Sequence, residues 1–221
     1  MMANHTETAA EASERRARLR GSVDFTMMYV AHDAFNRDLT RLIEAAERGH
    51  GFHPSAVTTW QMFSRQLHTH HTAEDTALWP TLHQVAAGNE TDILADMEAE
   101  HAAIDPRLER IEAAIADRDD TGLLAQLQAL GTELSDHMRH EEESALPLLE
   151  RRLGAAGWEA FTTDIRQRVG GIKGGAQYLP WLLDGAAPAA RRAVLKALPP
   201  PARLLFRAVW EPRHQRSPRL A

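Results

Sequence analysis

His32, His70, Glu74, His101, His137 and Glu141 combine the residue types and the spacing that could hold metal ions. His70 and Glu74 stand four residues apart, as do His137 and Glu141. On a helix that spacing puts an imidazole and a carboxylate one turn apart on one face, within reach of one ion. The two copies also agree in their flanks. Glu74 lies six residues before Pro80 and Glu141 six before Pro147, and Leu82 and Leu149 follow those prolines two positions on. The single histidines fit the same plan, His32 preceding His70 by 38 positions and His101 preceding His137 by 36. The chain reads as a duplicated helical hairpin, each half offering one His and then His-x-x-x-Glu. Folded together, the halves project four imidazoles and two carboxylates into one interior, a site for two metal ions.

That ligand set selects a chemistry. Imidazole with carboxylate suits iron, manganese or zinc. The chain has 12 His and no Cys, which excludes disulfide scaffolds, thiolate nucleophiles, Cys-ligated zinc and iron–sulfur clusters. Two carboxylates can each bridge two metals, and six protein ligands leave octahedral positions open to oxo, water, dioxygen or peroxide. A redox metal makes most use of such positions, so a pair of irons is expected ahead of manganese or zinc. One His-x-x-x-Glu on a helix is commonly a solvated pair. Two in register, with matching flanks and two partner histidines, outweigh that reading.

The elements that must position these residues are helical. Apolar residues recur at three and four from Val23, through Met27, Val30 and Phe35, to Ile43. Gly and Pro in residues 48–54 close that helix and open a second from about Pro54, interrupted near Pro80. A third runs from about Thr91 to Ala116, with Pro106 expected to bend it, and a fourth from about Thr121 to Leu153. No alternating strand or hairpin turn occurs. The expected fold is all-α: an up-down antiparallel four-helix bundle over residues 22–153, after a flexible segment over 1–21 and before a helical, Pro/Arg-rich C-terminal extension over 154–221.

Composition bounds the function further. The net charge of −6 argues against a general nucleic-acid binder. No apolar signal region and no membrane-spanning run occurs, which makes a cytoplasmic location the expectation. Residues 185–221 carry eight Lys/Arg and one Glu, leaving the preceding chain strongly acidic. The extension is expected to be a basic arm folded on the acidic bundle or a neighbouring subunit. An interfacial helix for anionic lipid and a partner- or nucleic-acid-binding tail are the other readings of it.

Four strings look familial: Val30-Ala-His32-Asp, Leu67-His-Thr-His70-His-Thr-Ala-Glu74, Glu100-His101-Ala-Ala and His137-Met-Arg-His-Glu141-Glu. Over residues 22–153 the arrangement resembles the hemerythrin-like, or HHE cation-binding, family in its bacterial type with two His-x-x-x-Glu motifs. The resemblance implies an up-down bundle around a non-haem di-iron centre. His32, His70, His101 and His137 would be terminal ligands, Glu74 and Glu141 the bridges, and the cofactor two iron ions (Fe2+/Fe3+), oxo- or hydroxo-bridged. Oxygen-carrying hemerythrins place a second His four residues after the first on the third helix. Asp105 stands there in this chain, so the pattern lies closer to the bacterial and iron-sensing branches, and a more carboxylate-rich or water-filled centre favours the oxidised state. Asp105, His71 or Glu98 could complete a metal shell.

His71 and His140 sit beside ligand positions, as outer-shell proton donors or, in the blander reading, as surface residues. Tyr29, one turn before His32, could hydrogen-bond a bound oxygen species or be ordinary core. Glu142, Glu143 and Asp75 read as the solvated face. Trp60, Phe63, Leu67, Leu78, Leu130, Leu134 and Leu148 read as core that keeps the centre dry. The expected activity is binding and turnover of a small oxidant (peroxide, dioxygen or nitric oxide) by a peroxidase- or catalase-like di-iron oxidoreductase, with an external reductant. An iron or oxygen sensor, or a store, uses the same ligands.

Overall fold

The computed structural model describes residues 9–220, which are helical almost throughout and contain no strand. The bundle consists of α2 (Thr26–Glu47), α3 (Pro54–Ala73), α5 (Glu90–Asp117) and α6 (Asp120–His140). Pro54 occupies the first turn of α3, where its missing N–H costs nothing, and the His53 side chain accepts from the Ser55 amide. Asp119 caps α6 in the same way through the Gly122 amide. Pro106 leaves α5 unbroken.

Two apolar clusters show why the bundle runs up and down. One includes Phe35, Leu67, Ile104 and Leu134; the other includes Met28, Leu78, Met97 and Ala145. Along α2 the chain passes Met28, then His32, then Phe35, and along the next helix it passes Leu67, His70 and Leu78. The order reverses again through Met97, His101 and Ile104, and once more through Leu134, His137 and Ala145. Successive helices are therefore antiparallel, and one polar layer lies between two apolar ones.

Both His-x-x-x-Glu helices are continued by a π-turn that begins on the glutamate. Glu74–Leu78 leads into α4 (Trp79–His83), and Glu141–Ala145 leads into α7 (Leu146–Arg152). A proline ring clashes with the carbonyl four residues earlier, and the wider turn ahead of Pro80 and Pro147 relieves that clash. A third π-turn, Phe206–Trp210, precedes Pro212 in the same register.

Helices also stand outside the bundle. Residues 9–18, expected to belong to a flexible segment, form α1 (Ala9–Arg18); residues 1–8 lie outside the described range. The C-terminal extension forms α8 (Gly154–Arg168), α9 (Gly171–Leu183), α10 (Pro188–Ala197), α11 (Pro200–Leu205) and α12 (Glu211–Gln215). It folds on the bundle chiefly through apolar contact, since Trp181, Leu182, Leu183, Val194, Leu195 and Phe206 join the Phe35 cluster. The ion pairs run opposite to a basic arm on an acidic bundle: Asp184 of the extension meets Arg41 of the bundle at 2.7 Å. The Trp181 indole N–H donates to Asp38 at 2.7 Å in the buried interface. Among the described residues no helix is long and apolar enough to cross a membrane.

Candidate metal centre

The polar layer gathers all six expected ligands, each buried. They form two clusters that exchange partners between the halves of the chain. His32 and His70 of the first half group with Glu141 of the second, and His32 Nε2 lies 3.0 Å from Glu141 Oε2. His101 and His137 of the second half group with His71 of the first, and their Nε2 atoms face each other at 3.1 Å. Glu74 stands between the clusters, one oxygen 3.2 Å from His70 Nε2 and the other 3.6 Å from His101 Nε2.

The outer nitrogens of three imidazoles are committed. Nδ1–H of His32 donates to Glu142 at 2.7 Å, that of His101 to Asp75 at 2.7 Å, and that of His137 to Glu100 at 2.8 Å. An ionised carboxylate only accepts, so these bonds commit each Nδ1–H and aim each Nε2 inward. His140 donates to the second oxygen of Glu100 at 2.9 Å, which links the centre to a half-buried side chain. Burial, reinforced by neighbouring imidazoles, holds His70 and His71 well below the ordinary histidine pKa. Burial also lowers His137. These rings are neutral, the form that ligates metal. Burial and the adjacent Glu141 push Glu74 well up. Burial would lower His32 too, but Glu141 and Glu142 outweigh it and hold this imidazole at about 9. The pocket therefore calls for positive charge between His32 and Glu141.

The donors fit a cation. Nε2 of His32, His70 and His71 and both oxygens of Glu74 and Glu141 are buried without a hydrogen-bond partner. Orphaned polar atoms of this kind cost free energy unless something fills the space between them.

Several outer residues stand elsewhere than the sequence suggests. His71 is 5% exposed, not a surface residue, and its ring stacks on His101 at 3.9 Å between centroids. Its i,i+3 spacing to Glu74 is the sequence signal for that inward position. Glu142, read as solvated, is 1% exposed and holds His32 on one side and Arg15 (2.9 Å) and Arg16 (2.7 Å) of α1 on the other. Burial would raise the Glu142 carboxyl, but His32 and Arg16 outweigh it and bring it down to about 2. Asp75 is exposed, yet it also fixes the His101 ring. Asp105 and Glu98 are exposed, and Glu98 pairs with His83, so of the three shell candidates only His71 joins a cluster. Tyr29 is half-buried under the Arg16 guanidinium, 4.9 Å from its ring centroid, and hydrogen-bonds none of the six expected ligands.

No curated protein and no solved structure matches the chain. The family model for the hemerythrin HHE cation binding domain matches residues 23–149. That span contains every member of both clusters and leaves out α1 and α8 to α12. With more than half of its length matched, the chain belongs to the hemerythrin HHE cation-binding domain family.

Proposed function

We propose that the chain holds two metal ions, iron in preference to manganese or zinc, and that it binds and reduces small oxidants there. His32, His70 and Glu141 would hold one ion and His71, His101 and His137 the other, with Glu74 spanning the two. The observation that carries this reading is the meeting of His101 Nε2 and His137 Nε2 at 3.1 Å while both Nδ1–H groups are given to carboxylates. Two lone pairs so placed repel unless a proton or a metal ion lies between them, and the burial that lowers His137 disfavours the proton. Bound there, iron supplies Lewis acidity and redox capacity. The protein's own work is orientation and exclusion: Glu142, Asp75 and Glu100 fix the imidazoles, and the apolar layers keep bulk water out. Nothing in the chain resembles a flavin or nicotinamide site, so the reductant comes from outside.

Protein loaded anaerobically with ferrous iron is expected to hold two ions per chain by elemental analysis and to change its optical spectrum on adding peroxide. Loaded protein indifferent to peroxide, dioxygen and nitric oxide overturns the reading.

A sensor role has one observation in its favour: α1 docks through Arg15 and Arg16 onto Glu142, which itself holds a ligand. A sensor exposes α1 to protease when metal is stripped, and unchanged cutting rejects that role.

A further inference from the structure

We infer that the C-terminal extension forms the entry port of the centre, one that admits small uncharged molecules to the His70 side and turns away ions and bulky peroxides. This rests on the reading that the centre takes a small oxidant, and it names the port and the class of molecule admitted.

A cavity of about 10 Å³, enough for one water, lies where α8 and α9 cross α2 and α3. Its floor is made by buried bundle residues, among them Phe35, Gln66 and His70. Its rim includes Ile165, Val169 and Tyr178, all half-buried and all outside the span matched by the family. The cavity thus lies between partly exposed side chains and the ring of His70, the one cluster member that lines it. No lining residue is an acid, a lysine or an arginine. A narrow, uncharged channel gives an ion nothing in return for its lost hydration, whereas peroxide, dioxygen or nitric oxide loses little.

The centre is asymmetric in a way that fits the port. His71 has no imidazole counterpart in the second half, where Met138 follows His137. The His32/His70/Glu141 cluster therefore has fewer imidazoles than its neighbour, and it is the cluster whose His70 lines the cavity. At the rim, Val169 directly precedes Gly170 (φ +87°) and Gly171 (φ +60°), left-handed conformations that favour glycine. A Cβ on Gly174 would collide with the Val169 carbonyl, so the close turn fixes Val169 where it lines the cavity.

The test uses full-length metal-loaded protein and reads nitric oxide association by stopped-flow, a binding step independent of turnover. Val169→Trp is expected to slow association by on the order of tenfold with metal content unchanged. Ile165→Ala with Val169→Ala is expected to leave nitric oxide fast and to admit tert-butyl hydroperoxide, which the native protein excludes. Unchanged nitric oxide association in Val169→Trp, with no gain of the bulky peroxide in the widened variant, overturns the port. Native protein that binds nitric oxide but never consumes peroxide overturns the oxidant-reducing function and leaves the port standing.

Discussion

His32 and Glu142 are joined by a 2.7 Å hydrogen bond between two side chains that solvent does not reach. The equivalent bond of the other half, His101 to Asp75, has the same length, but Asp75 is 41% exposed. One carboxylate is walled in by two arginines of α1, and the other can be replaced by water.

Glu142→Ala is therefore expected to weaken metal binding by about 10–100-fold, the usual cost of losing an outer-shell partner. Asp75→Ala should cost clearly less. Competition titration against a chromophoric chelator separates them, and equal losses would remove the distinction drawn from burial.

His71→Ala should reduce the tightly held metal from two ions per chain to one, because it takes a donor from only the His101/His137 cluster. His140→Ala, which touches Glu100 and no cluster, should leave the stoichiometry at two. Elemental analysis after gel filtration reads both, and a His71→Ala protein that retains two ions refutes the assignment.

Glu74 is buried with both oxygens unpartnered, so in metal-free protein it is a net cost. Glu74→Leu is expected to raise the metal-free melting temperature, with a gain on the order of 1 kcal/mol or more. The same change should abolish the further rise that metal gives the native protein. A lower metal-free midpoint for the variant would mean that the carboxylate is already satisfied.

Asp184 gives the extension a pH dependence away from the centre. Burial would raise its carboxyl, but Arg41, Arg219 and Arg37 outweigh that and hold it below the ordinary aspartate value. A depressed carboxylate stabilises the fold above its unfolded pKa, about 3.9, and that stability is lost as pH falls through the folded value. Asp184→Asn should therefore cost about 1 kcal/mol at pH 7, a modest figure because the pair is partly solvated. Melting curves of the two proteins should converge in strong acid, and a gap that persists there contradicts the linkage.

The meeting of the six residues in one layer was legible because each half repeats the same spacing, and helical periodicity turns spacing into a shared face. His71 stood out only as one of three shell candidates, because a residue next to His70 is rotated about 100° away on an ideal helix. Its own His-x-x-Glu spacing to Glu74 is the pattern that carries it. Glu142 and Asp75 directly follow Glu141 and Glu74, so charge alone reads them as solvated. The duplicated acid pair, Glu74-Asp75 and Glu141-Glu142, is the signal that they act together. The docking of the extension depends on long-range packing of Trp181 against Phe35, 5.2 Å between ring centroids, which no local pattern records.

The exchange of partners between the halves bears on how such a centre can arise. Neither hairpin owns a finished nest: His32 and His70 wait for a carboxylate from the second half, and His101 and His137 for groups from the first. A lone hairpin would be unable to close around an ion, yet two identical ones, clasped head to tail, would complete both nests at once. An ion bound in either nest would then pin the two halves of the chain to each other like a rivet.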